Sequence, residues 1–315
     1  MKLSDFQNEY HWMNGLSEYF KFTGQEERWE HIHKALYHDN WYRKRDVIVE
    51  LLTMVDAEER HVRAWMNALL HEKLEDVELK PQLLATLFRK YMKEDEFLVN
   101  ICKFVNYWSG EDGEAAKMPD MNDFLSRGQV KSKLWMVTEL AKIVEGPLGN
   151  VAFYGGWYNF MAHFLFDQFE VDKVYSLDVD SNVVDPSKRL YPKQVKAERF
   201  LPKTINVSKI KWNDKVATVP TNQTDGEDPG EYWELDTINM IVNTSCEHMN
   251  NEWSNNLPSG TFVVLQTNDY FSNPQHSNCV KDLEEAKSKY PMQSIMYEGK
   301  LDTDLYNRFM LIGIK

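Results

Sequence analysis

The chain has 315 residues, 43% of them apolar and 13% aromatic, and a formal charge of −13. That length suits one large or two medium folded domains, and the acidic balance argues against loose, charge-driven binding of DNA or RNA, which needs basic surface. Cys102, Cys246 and Cys279 are far apart and form no CxxC pair, which argues against a disulfide framework or a zinc ribbon. The first residues lack the apolar core of a signal peptide, and no apolar run approaches membrane-span length. A cytoplasmic protein with no membrane partner is expected.

Residues 1–118 are expected to form an all-α N-terminal domain. Asp46–Val55 carries apolar residues at helical spacing, and Asp56 with Glu59 reads as a capping box ahead of Val62, Trp65, Met66, Leu69 and Leu70. Further helices are predicted over 83–91 and 96–107. The stretch Ser109–Pro119 mixes glycine, charge and proline and is the natural linker. It leads into a second domain, residues 119–315.

Gln129–Val144 is an amphipathic helix ended by Gly146-Pro-Leu-Gly149. The chain then alternates, which is the pattern of an α/β fold. Strands are predicted at 151–154 and 173–178, with helices over 159–168 and 186–199 and a weaker strand near 204–211. An acidic loop, Asp214–Asp236, precedes strong strands at 237–242 and 261–266. Two late strands, 294–299 and 308–314, suit an antiparallel pair closing the sheet edge.

The chemistry begins at Val151-Ala-Phe-Tyr-Gly-Gly-Trp-Tyr-Asn159, an apolar run that breaks at two glycines and resumes as helix. About twenty residues on, Val174-Tyr-Ser-Leu-Asp-Val-Asp180 ends in acids, the spacing of a strand, tight turn, helix and acid-tipped strand in a nucleotide-binding fold. An acid at that tip can accept hydrogen bonds from two ribose hydroxyls. The turn has no third glycine, so it departs from the G-x-G-x-x-G that brings backbone against a pyrophosphate. A nucleoside without phosphates fits better.

These segments, with the closing pair of strands, resemble class I S-adenosylmethionine-dependent methyltransferases over Gln129–Lys315. The resemblance implies a Rossmann-like seven-stranded sheet with an antiparallel last strand, and S-adenosyl-L-methionine as cofactor. It implies cofactor contacts at Tyr154, Gly155, Gly156 and Trp157, and ribose binding at Asp178 with Asp180 as its competitor. Asp214, placed after the third strand, would meet the adenine, and Asn243 would border the cofactor at the end of the fourth. The resemblance also covers a Ser-Lys-x-Trp helix and the Thr244-Ser-Cys-Glu-His248 segment.

In open α/β sheets ligands bind at the carboxyl ends of strands, so Glu247 and His248 are the expected catalytic groups, one of them a base for the attacking atom. The plain alternative is a helix cap and a surface histidine. Gln266, Asn268 and Asp269 follow the next strand and are expected, with His276 in its loop, to meet substrate. Cys246 reads as a small buried residue rather than a nucleophile. An oxygen-rich magnesium site from Glu247 and Asn268-Asp269 would have its parts in reversed order, so no metal is expected. His31, His33 and His38 read as structural.

A small molecule or a protein is the favoured substrate, with RNA as the alternative. The basic run Lys188–Lys211 reads as a solvated face, and no aromatic stacking pattern of an RNA module accompanies it. Two rival functions stand beside methyl transfer: aminocarboxypropyl transfer or cofactor cleavage, and a non-catalytic scaffold on a methyltransferase-like fold. The helical half has three candidate uses: substrate selection, partner binding, or contact with a second copy in a homo-oligomer.

Overall fold

A computed structural model describes residues 12–27, 30, 100, 123–220, 232–303 and 305–315. The predicted helices at 46–55, 56–70, 83–91 and 96–107, together with His31, His33 and His38, lie outside the described residues. The chain divides into two compact units, residues 1–131 and 132–315. In the first, helix α1 (Trp12–Phe22) buries Leu16, Tyr19 and Phe20. It stops at Gly24, whose φ of 68° suits a residue without Cβ, and Gln25 N–H donates to the Phe20 carbonyl at 2.8 Å.

The second unit is built on a seven-stranded sheet. Helix α2 (Arg127–Ala141) runs into it and buries Leu134, Met136, Val137 and Leu140. Strand β1 is Gly149–Tyr154, followed by helix α3 (Met161–Gln168) and strand β2 (Val171–Asp178). Helices α4 (Val184–Leu190) and α5 (Pro192–Lys196) then lead to β3 (Phe200–Thr204). A small antiparallel meander follows, of β4 (Lys211–Asn213), β5 (Val216–Pro220) and β6 (Tyr232–Glu234). The large sheet resumes with β7 (Met240–Asn243), the one-turn helix α6 (Glu252–Asn255) and β8 (Phe262–Asn268). Helix α7 (Leu283–Lys289) and the hairpin β9 (Ser294–Asp302) and β10 (Asn307–Ile314) complete it. The strand order is β3-β2-β1-β7-β8-β10-β9, with β10 antiparallel to both neighbours and the other pairings parallel. The chain thus has the expected seven-stranded sheet with its last strand inserted antiparallel.

The central strands are apolar throughout because both faces are covered. Ala152, Tyr154, Tyr175, Leu177, Ile241, Val263, Leu265, Phe309 and Leu311 form one face, packed with Trp253, Val280 and Tyr290. Residues one step out of phase face the other way. There Gln266 Nε2 donates to the Ser132 carbonyl on α2 at 2.9 Å, and Trp135 Nε1 donates to Tyr297 Oη on β9 at 3.0 Å.

Two expectations change. The third strand is Phe200–Thr204, not 204–211. It contains Pro202, which has no N–H to give a ladder, and it is tolerated because β3 is an edge strand pairing with β2 alone. The acidic loop is shorter than its composition suggests, because β5 and β6 occupy its flanks. Its last acid, Asp236, is bound by Lys173 and accepts the Tyr175 hydroxyl at 2.8 Å. Among the described residues no helix is long and apolar enough to cross a membrane.

Candidate functional site

The glycine turn after β1 is braced on both sides. The N–H groups of Gly155 and Gly156 donate to the Leu177 carbonyl at 2.9 and 3.1 Å, and Trp157 N–H donates to Asp178 Oδ2 at 2.8 Å. Three successive N–H groups are therefore engaged by the end of β2. In a dinucleotide fold such groups are left to cradle phosphate; here they are already occupied. On the other side Ser245 Oγ donates to the Gly155 carbonyl at 3.2 Å.

Backbone geometry explains both glycines. Gly155 has φ 66°, where a Cβ is strained. Gly156 has ordinary φ, but a Cβ there would overlap Ser176 Oγ on β2. Gly156→Ala is therefore expected to cost about 1–3 kcal/mol as an overpacked site. Adding Ser176→Ala should recover most of that loss in a denaturant-unfolding cycle, and an additive double variant would reject the contact. Trp157 (φ 47°) and Asn159 (φ 53°) are left-handed without being glycine. For a bulky residue such as Trp157 that conformation costs about 1–3 kcal/mol and marks a position held by its surroundings. Asn159 offsets the cost of its conformation by bracing the start of α3, its Oδ1 accepting from Ala162 N–H at 3.2 Å.

Asp178 stands at the tip of β2. Its Oδ1 accepts from Asp180 N–H at 3.0 Å, while Oδ2 holds Trp157. Burial pushes its carboxyl above the ordinary range, and these backbone donors oppose the shift. Each oxygen keeps a lone pair for a further donor. Asp180 is engaged differently. Its Oδ1 accepts from Asn182 N–H at 2.9 Å and caps a 3₁₀ turn, Ser181–Val183. Between the two acids Val179 is 69% exposed, an apolar side chain set beside the carboxylate.

The structure places three more of the expected cofactor residues. Tyr154 is buried, its ring edge-on to Trp253 at 5.7 Å, so only its backbone can border a ligand. Asp214 is in the β4–β5 turn at φ 53°, away from the end of the third sheet strand, where Ile205 and Asn206 stand instead. Asn243 is fully buried and shapes the following turn: its Oδ1 accepts from Ser245 N–H at 2.9 Å.

After β7 the chain makes a 3₁₀ turn, Cys246–His248. Cys246 is buried, as expected, and burial pushes its thiol well up. Glu247 is 2% exposed and enters the interior rather than the mouth. Its Oε1 accepts from Asn268 Nδ2 at 2.7 Å and meets Arg308 Nη2 at 3.4 Å. Arg308, on β10, also donates through Nη1 to the Thr244 carbonyl at 3.0 Å. His248 is exposed, and its ring lies edge-on to that of His276 at 4.6 Å.

Of the expected substrate residues, His276 alone joins this group at the surface. Gln266 and Asn268 have no exposure and bond within the protein, Gln266 to α2 and Asn268 to Glu247. Asp269 clasps β10, its carboxylate accepting from Asn307 N–H and Nδ2, each at 2.7 Å. Gln266 and Asn268 thus lie in the interior, and Asp269 holds the neighbouring strand. Arg308 is the principal residue that sequence reasoning passed over; a lone cation preceding Phe309-Met-Leu-Ile312 was its signal. Asn278 was passed over too. Its N–H donates to the Glu247 carbonyl at 3.0 Å and its Nδ2 to the Met249 carbonyl at 2.8 Å, stapling the two loops together.

Neither a model of a known protein family nor a curated relative matches the chain. Among solved structures it is similar to YcgJ from Bacillus subtilis, at 11% identity and TM-score 0.41, over 57% of this chain and 98% of that one. A geranyl diphosphate methyltransferase solved with GPP and sinefungin matches at 10% identity and TM-score 0.41, over 65% and 83%. Magnesium protoporphyrin IX methyltransferase from Synechocystis, solved with bound SAM, matches at 13% and 0.38, over 76% and 99%. The strand order and direction in the sheet are those that the resemblance to class I methyltransferases implied. Within the basic run Lys188 pairs with Asp185 at 2.9 Å, and Lys203 lies over the Trp233 ring at 3.9 Å.

Proposed function

We propose that the protein is an S-adenosylmethionine-dependent methyltransferase acting on a small molecule or a protein. The observation that carries this reading is the pairing of Asp178 with the glycine turn. A half-buried carboxylate at the tip of β2 has lone pairs left for two hydroxyls, while the turn beside it has its N–H groups engaged and offers no phosphate cradle. That combination suits a nucleoside without phosphates. Exposed Val179 supplies apolar surface next to the carboxylate for a base.

Methyl transfer to an aligned nucleophile is mostly positional. Removal of the substrate proton is assigned to His248, exposed at the mouth, with Glu247 held in the interior beside Arg308. The Tyr270 and Tyr306 rings stack at 5.3 Å near His276 and give a flat wall on the same side. The test is calorimetric titration of the full chain with S-adenosylmethionine and S-adenosylhomocysteine. Saturable binding of both supports the reading; no binding by folded protein favours the scaffold alternative. Product analysis then separates methyl from aminocarboxypropyl transfer.

A further inference from the structure

The carboxyl ends of β7 and β8 bring together three groups that the sequence separates. One oxygen of Glu247, one nitrogen of His248 and one nitrogen of His276 all lie within 4.8 Å of one another. We propose that they form a binding site for a divalent cation of the zinc, cobalt or nickel class.

Two further observations point to a ligand there. Glu247 Oε1 is engaged by Asn268 and Arg308, but Oε2 is buried without a hydrogen-bond partner. A buried carboxylate oxygen left so is costly, and a cation would satisfy it. The second observation is the tautomer of His276. Its Nδ1 lies 3.2 Å from the Tyr270 carbonyl, which can only accept, so Nδ1 carries the proton. Its Nε2 therefore presents the lone pair, now accepting from Asn273 Nδ2 at 3.2 Å, and a cation would take the place of that donor. A ring nitrogen fixed by a backbone carbonyl on the far side is the usual support for a metal-binding imidazole.

The ligand set also selects the cation. Two imidazoles and one carboxylate suit borderline metals; magnesium and calcium ask for oxygen-rich shells. Arg308 offsets the charge of Glu247, so the attraction comes chiefly from the imidazoles, which again disfavours magnesium. His248 is exposed, which leaves coordination positions open on the outer side for an oxygen of a substrate. A nitrogen that binds a cation cannot also take a proton, so occupancy would end the role of His248 as base. The site itself stands independently of the methyltransferase reading.

The experiment uses chelator-treated full chain titrated with Co²⁺, read by its visible ligand-field bands, and with Zn²⁺ by calorimetry. One equivalent is expected to bind, with no competition from excess Mg²⁺. His248→Ala and His276→Ala should each weaken binding by at least about tenfold. His248 is exposed, so its variant is expected to keep the fold, checked by thermal unfolding. Absence of Co²⁺ and Zn²⁺ binding by folded protein would overturn the proposal, as would undiminished binding in the double variant. S-adenosylmethionine titrated into the same metal-free protein tests the cofactor reading on its own.

Discussion

Asp178→Ala is expected to lower affinity for S-adenosylmethionine by about a hundredfold, measured by calorimetry. Hydrogen bonds to a charged acceptor are worth about 1.5–3 kcal/mol each, and about 1.4 kcal/mol is tenfold. Two ribose hydroxyls on one carboxylate therefore reach that figure even after partial compensation by water. Asp180→Ala is the control. It removes the cap of the 3₁₀ turn at Ser181–Val183, which costs about 1 kcal/mol of stability, and should leave affinity within a few-fold. Equal losses from both variants would refute the assignment to Asp178.

The same carboxylate sets a pH dependence. Burial holds Asp178 above the ordinary carboxylate range, so it takes up a proton earlier as pH falls. Affinity that uses it as an acceptor should decline on acidification sooner than an exposed carboxylate would allow. Its folding contribution has the opposite sense from a salt-bridged acid. With the folded value raised, protonation favours the folded chain at low pH, and that contribution is lost as pH rises through the folded value.

The second large effect concerns stability. Glu247, in the turn after β7, and Arg308, on β10, are each 2% exposed and paired. Removing one member leaves the other charge buried, which costs about 3–5 kcal/mol. Arg308→Ala and Glu247→Ala are both expected to unfold at markedly lower denaturant. The paired replacement by methionine at both positions should recover much of the loss, because an apolar pair of similar volume needs no solvation. If single variants unfold like the wild type, the pair contributes no stability. Because Asn268 and the Thr244 carbonyl share this network, the single losses should not add.

Local pattern determined a great deal here. The apolar runs at Val151–Tyr154, Val174–Leu177, Met240–Val242 and Phe309–Ile312 are strands because they are buried on both faces, and burial is written directly in composition. The turn at Gly155-Gly156 and the acid at Asp178 follow from spacing, since a strand, a tight turn and a helix consume a set number of residues. The third strand departs from its expected place because an edge strand such as β3 need not be apolar or free of proline. Side-chain direction at strand ends was beyond local pattern. Gln266, Asn268 and Asp269 have the polar character of a binding site, yet they take interior and clasp positions. Only the tertiary structure could decide that, as it also decided the meeting of His248 with His276 and of Glu247 with Arg308. Those pairs are 28 and 61 positions apart in the chain, and contact over such a distance is a property of the sheet order, which no local preference encodes.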